Sequence, residues 1–173
     1  TAVYKAARAV TALQDFDFNV ALHNVLGGPT LNVGTITGGL NINSVPDRTA
    51  IGVDIRTIPG QNHAKIREQL TSYLGTEVEL GTRLDAQSVW TNPNDAWIGT
   101  VVQTARKIAG VGGEVGAAPY FTDASILTPV MGGAPTAIIG PGELELAHQT
   151  DEYCYVSRIE QATEIYSAII RDW

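Results

Sequence analysis

The residues best able to hold a metal or move a proton are three histidines, and one of them stands among carboxylates. His148 follows a Gly140-Pro141-Gly142 break and is flanked by Glu143, Glu145, Asp151 and Glu152. A catalytic zinc site needs three such protein ligands and an open position. No His-x-x-x-His or His-x-Asp pair occurs anywhere in the chain, and two-metal hydrolysis needs more ligands still. By composition alone the segment reads as a solvated acidic loop with one histidine in it. His23, in a long connection, and His63, at a helix start, read as surface residues. The chain on its own does not supply a convincing metal cage.

Other chemistries find less support. There is no Gly-x-Ser-x-Gly elbow to expose a nucleophilic serine. Cys154 sits between two tyrosines and is expected to be a buried, inert thiol. Thr1 opens a helical pattern, whereas an N-terminal threonine nucleophile belongs on a strand. Gly110, Gly112 and Gly113 follow a helix instead of a strand, the wrong context for a phosphate-binding turn.

The elements that must position these groups fall into two halves. Val3, Ala6, Ala7, Val10 and Leu13 form one stripe of a helix over residues 2–13. A long connection ends at Gly27-Gly28-Pro29. Leu31, Val33 and Thr35 then alternate as in a strand, and a loop runs from Gly38-Gly39 to Pro46. Residues 49–57 are the clearest strand, with Ile51, Val53 and Ile55 on one face and Gly52, Asp54 and Arg56 on the other. Asn62 caps a helix lined by Ile66, Leu70, Tyr73 and Leu74, and Gly75 stops it. Val78 and Leu80 alternate with Glu77 and Glu79 as a third strand. Helix, strand, strand, helix, strand is a ferredoxin-like order without its leading strand, so the chain is expected to begin partway into a domain.

The second half opens at Asn92-Pro93-Asn94-Asp95 with a helix carrying Trp97, Val101, Ala105 and Ile108 on one face, stopped by Gly110. A Gly-rich stretch, Tyr120-Phe121-Thr122-Asp123 and a short helix over residues 124–131 follow. Residues 135–139 form a short apolar run, as in a buried strand. In the last helix Ser157 and Glu160 are spaced as a capping box, and Ile159, Ala162, Ile165, Tyr166 and Ile169 line the apolar face.

Bulk properties set the class. At 173 residues, 44% hydrophobic and 17% charged, the chain is globular and long enough for one domain or two small ones. A net charge of −7 argues against nucleic acid or an anionic membrane as partner. No apolar run approaches the length of a membrane span. A single cysteine excludes an internal disulfide and suits a reducing, cytoplasmic setting.

Taken in order, several segments resemble one family. They are Thr30-Leu31-Asn32-Val33-Gly34 through Gly38-Gly39, Asn41-Ile42-Asn43-Ser44-Val45-Pro46-Asp47, Val53-Asp54-Ile55-Arg56 and Pro59-Gly60. Further on come Tyr120-Phe121-Thr122-Asp123-Ala124, Gly140-Pro141-Gly142, His148 and Asp151-Glu152-Tyr153-Cys154-Tyr155-Val156. The set is similar to the acetylornithine deacetylase and succinyl-diaminopimelate desuccinylase family of M20-type metallopeptidases. The resemblance implies an α/β (α+β) protein. Residues 1–83 would be a ferredoxin-like lid or dimerisation domain lacking its first strand. Residues 84–173 would be the C-terminal part of the zinc-hydrolase catalytic domain.

The resemblance also implies roles. His148 would be a terminal metal ligand in a zinc (or cobalt) enzyme. Asn43 and Arg56 would reach the substrate from the lid, and Thr122, Gly140 and Gly142 would line its pocket. The substrate would be a small N-acyl amino acid, hydrolysed by a metal-bound hydroxide with a glutamate as base. The family's dipeptidases and carboxypeptidases leave a peptide substrate open. A homodimer would form through the lid. The family's His-x-Asp segment, bridging aspartate, Glu-Glu pair, a further acidic ligand and the lid's first strand with its histidine have no counterpart here. The chain is therefore expected to be a fragment, a processed piece or one chain of a split protein, to assign no catalytic residue of its own, and to be inactive alone. The rival reading is a non-catalytic dimerisation or binding module that kept the fold.

Overall fold

A computed structural model describes residues 1–110, 115–118, 120–147 and 149–172. Two compact units, Thr1–Ser88 and Val89–Trp173, divide the chain.

In the first unit, α1 (Ala2–Gln14) starts where the Thr1 side chain accepts from the Tyr4 amide. Its buried stripe is Ala6, Ala9 and Leu13, whereas Val3 and Ala7 are exposed. The stripe is thus rotated from the expected one, because alanines on the inner side let the helix lie close to the sheet. The α2 helix (His63–Leu74) follows the sequence reading: the Asn62 side chain accepts from the Lys65 amide at 3.0 Å, and Gly75 ends it. Between them run β1 (Thr30–Gly38) and β2 (Thr49–Arg56), paired antiparallel from Thr30 with Arg56 to Gly38 with Thr49.

The pairing shifts between Val33 and Thr35, so Gly34 is the extra residue of a bulge. Beyond it Ile36 pairs with Ile51, and Thr35 pairs with Gly52. Paired residues share a face. The bulge therefore puts Ile36, in place of the expected Thr35, on the side of Leu31 and Val33. Thr35 Oγ1 comes so close to Gly52 that a β-carbon there would collide with it. Leu31, Val33 and Ile55 pack on a core of Leu13, Ile66 and Leu70, joined by Phe16, Phe18, Leu74 and Leu80. Helices thus cover one face of a small sheet, an α+β arrangement.

Among the described residues the sheet has two strands. Residues 78–80 are not a third: the partly buried Leu80 packs its side chain against the core, but its backbone joins no ladder. Alternation alone reports burial of a side chain, not pairing of a backbone.

In the second unit, α3 (Ala96–Ala109) is capped by Asp95, which accepts from the amides of Trp97 and Ile98 at 2.9 and 3.4 Å. It stops at Gly110, whose φ of 64° suits a residue without a β-carbon. Its buried Ile98 and Val101 belong with Ala162 and Ile165 of the last helix, which packs against α3. A short α4 (Ala124–Val130) and the last helix, α5 (Val156–Arg171), complete the described elements apart from a turn of 3-10 helix at Leu144–Leu146.

Two expectations fail here. Residues 135–139 are not a strand, and Ile138 is half-exposed. The Thr136 amide is satisfied by the Thr91 hydroxyl at 2.8 Å, and Thr128 and Thr136 share a hydrogen bond, also 2.8 Å. Side chains replace the missing ladder. The capping box is also absent: α5 starts at Val156, which places Ser157 inside the first turn, and Tyr155 occupies the cap without a side-chain hydrogen bond. No helix among the described residues is long and apolar enough to cross a membrane.

Candidate functional site

In the first unit, the residues expected to bind substrate occupy two settings. Asn43 is exposed in the loop between β1 and β2, beside a turn in which the Ser44 hydroxyl donates to the Asn41 carbonyl at 3.2 Å. Around it Leu40, Ile42 and Val45 are almost fully exposed. Arg56 ends β2 on the face opposite the core, as the alternation requires. Its Nε donates to Asp54 Oδ2 at 2.7 Å, and both side chains are about half exposed. Asp54 therefore orients Arg56 while leaving guanidinium nitrogens for another acceptor.

In the second unit, Gly140 and Gly142 flank Pro141 in a turn fastened at three points. The Tyr166 hydroxyl of α5 donates to the Ile139 carbonyl. The Cys154 thiol lies 3.3 Å from the Pro141 carbonyl. Arg158 Nη2 is 3.7 Å from Glu143 Oε1. Cys154 is exposed, not buried as expected, because its segment runs irregularly over the surface before α5. Its neighbours Tyr153 and Tyr155 meet edge to face at 5.5 Å. Their hydroxyl contact, first of all, raises the Tyr153 pKa. Thr122 is half-buried just before α4 and accepts from the Ser125 amide through its carbonyl at 3.1 Å. His148 lies outside the described residues.

Among the described residues no group of three or more His, Cys, Asp or Glu side chains is placed to hold a metal ion. The described part of the chain does not fit a complete metal cage.

A cluster not anticipated from sequence surrounds His63. Its ring is 17% exposed, with Nε2 3.0 Å from Thr57 Oγ1 and Nδ1 2.5 Å from Asp85 Oδ1. The Gln87 amide is 3.2 Å from the same Nδ1. Arg67 Nη2 lies 3.5 Å from the other Asp85 oxygen, and Nη1 donates to Thr82. Residues 22 and 24 positions apart carry no local signature, so spacing could not reveal them. An open depression of about 460 Å³ adjoins the cluster, lined by Gly60, Asn62 and Asp85 among others.

Comparison with known proteins covers both units. Residues 1–82 match the family described as the peptidase dimerisation domain. The chain is 31% identical to acetylornithine deacetylase of Pasteurella multocida over 82% of its length, and 26% identical to that of Myxococcus xanthus over 98%. A Staphylococcus aureus protein described as "Probable succinyl-diaminopimelate desuccinylase" is 30% identical over 84% of the chain. The chain spans 37%, 46% and 38% of the length of these three relatives. The fold is shared with the M20 family metallo-carboxypeptidase Sso-CP2 of Sulfolobus solfataricus, with a TM-score of 0.65 and 19% identity over 95% of this chain and 44% of that one.

Proposed function

We propose that this chain belongs to the M20-type family of acetylornithine deacetylase and succinyl-diaminopimelate desuccinylase and is part of a metal-dependent hydrolase that removes an N-acyl group from an amino acid. One observation carries the reading. The likeness to a deacetylase runs over 98% of the chain, well past the dimerisation domain at residues 1–82. In this reading residues 1–83 are the lid and residues 84–173 a segment of the catalytic domain. Two copies associate through the lid in a cytoplasmic enzyme.

The role of each residue comes from the family resemblance, and its chemistry suits that role. Arg56, aligned by Asp54, suits a carboxylate, which a guanidinium can grip with two parallel hydrogen bonds. Asn43 offers a carboxamide donor and acceptor from an exposed loop. Thr122 supplies a hydroxyl. The turn from Gly140 to Gly142 offers backbone N–H groups from a frame fixed by Tyr166 and Cys154. His148 is assigned as a ligand of zinc or cobalt, which would supply Lewis-acid activation in the longer protein. The second unit supports the need for more polypeptide: Val130, Met131, Val156 and Ile170 are each 68% or more exposed.

The test is an assay of the purified chain with N-acetylornithine, N-succinyl-diaminopimelate and other N-acyl amino acids in excess zinc. The chain alone is expected to show no turnover. Turnover that survives repurification and disappears with chelator would overturn the view that it is only a part. In a longer protein containing this chain, Arg56→Ala is expected to lower kcat/KM at least about tenfold, the loss of one charge-assisted contact. Kinetics within twofold would leave Arg56 as a surface charge paired with Asp54. A second reading, a dimerisation module without chemistry, draws on the match of residues 1–82. It would gain if His148→Ala left the zinc content of that longer protein unchanged.

A further inference from the structure

We propose that His63 and Arg67 form a polar latch that pins residues 82–85, near the end of the first unit, to the opening turns of α2. The segment has little else to hold it. It contains no helix or strand, and among the described residues no backbone–backbone hydrogen bond involves residues 81–87. Its one large apolar side chain, Leu84, is 66% exposed. Such a stretch would ordinarily open at little cost in free energy.

Side chains supply the missing ties. Asp85 is held at both oxygens, Oδ1 by His63 Nδ1 at 2.5 Å and Oδ2 by Arg67 Nη2 at 3.5 Å. The second guanidinium nitrogen of Arg67 reaches Thr82. His63 is itself fixed, since Thr57 at the exit of β2 occupies its far nitrogen at 3.0 Å. With the ring neutral, Nδ1–H donates to the carboxylate and the Thr57 hydroxyl donates to Nε2, so one tautomer satisfies both contacts. His63 and Arg67 are four residues apart on α2 and so share a face one turn apart. The latch joins the end of β2 and the start of α2 to a run about twenty residues further along the chain. It ties the run that follows the core residue Leu80 back to the unit as far as Asp85. The inference uses contacts within residues 1–88 alone, so it stands or falls apart from the hydrolase reading.

Arg83, exposed inside the latched segment, provides the test. Limited trypsin digestion of the 173-residue chain is followed at Arg83 by mass spectrometry, with Arg8 in α1 as the internal reference. His63→Ala leaves the sequence around the scissile bond intact and is expected to speed cleavage at Arg83 by about fivefold, because cleavage follows the open population. Arg67→Gln, which frees Asp85 Oδ2 and Thr82, should act in the same direction and covers the case in which His63→Ala does not fold. The latch is overturned if cleavage at Arg83 is unchanged in the folded variants. It is equally overturned if cleavage at Arg8 rises by the same factor, which would mean general loosening of the unit.

Discussion

Among the described residues the first unit has a layered interior and the second does not. In the first, two helices close over one face of a sheet, and Leu13, Ile66 and Leu70 are each 7% exposed or less. In the second, the buried side chains among the described residues are Ile98, Val101, Ala162 and Ile165, on two packed helices. Phe121, Ile126, Leu127, Val130 and Met131 around α4 all remain exposed. A helix that shows apolar residues to water has its stripe but lacks the layer that would cover it. The comparison teaches that similar apolar content can be spent on a closed core or left waiting for one. It accords with the proposal that the second unit completes its interior against further polypeptide.

The largest expected effect strikes the closed core. Leu70→Ala should cost about 2–5 kcal/mol in urea unfolding of the first unit, the range for a large-to-small change at a packed site. A loss below about 1 kcal/mol would erase the contrast between the units.

Next is the cap that holds α3. Asp95→Ala removes a carboxylate accepting from two amides and should lower the stability of the second unit by about 1 kcal/mol. Asp95→Asn, which keeps an acceptor, should recover most of it.

Smaller still is a change on the open face. Val130 is 80% exposed, so Val130→Ser should shift the unfolding free energy of the isolated chain by no more than about 0.5 kcal/mol while reducing binding of an apolar dye. A loss above about 1 kcal/mol would show that the residue is covered in solution.

The smallest effect is a pH dependence in the first unit. The hydrogen bond and charge of Lys5, 2.5 Å away, hold the Glu77 carboxyl below its ordinary pKa. A carboxyl that is more acidic when folded stabilises the fold fully above its unfolded pKa and loses that contribution as pH falls through the folded value. Glu77→Gln should therefore be slightly less stable than the parent at pH 7. The two should converge only once the pH has fallen through the lowered folded value, where the carboxylate takes its proton. A difference that persists at acid pH would assign the effect to packing.

Much of the local structure was legible because its causes lie within a few residues. Asn62 and Gly75 bound α2, Asp95 and Gly110 bound α3, and β2 shows its alternation plainly. Errors arose where two causes leave the same trace. Leu80 alternates because its partly buried side chain packs against the core, yet no strand pairs with its backbone. Residues 135–139 are apolar like a strand, but Thr91 and Thr128 take the contacts of Thr136. Phe16 and Phe18 stood in an apparent loop and joined the core, packing edge to face at 5.0 Å.

The sequence by itself determined the helices, the caps of α2 and α3, the strand β2 and the face to which Arg56 belongs, since helix and strand periods and side-chain caps act over a handful of residues. It also carried the ordered family likeness that reaches from Thr30 to Val156. Only the tertiary structure decided the bulge at Gly34, which moved Ile36 to the core side, because strand register depends on the partner strand. Only it joined Asp85 to His63 and Arg67, and Tyr166 to the turn at Pro141 by way of the Ile139 carbonyl. A hydrogen bond depends on the positions of two groups in space, and a one-dimensional spacing of 22 or 27 residues does not constrain them.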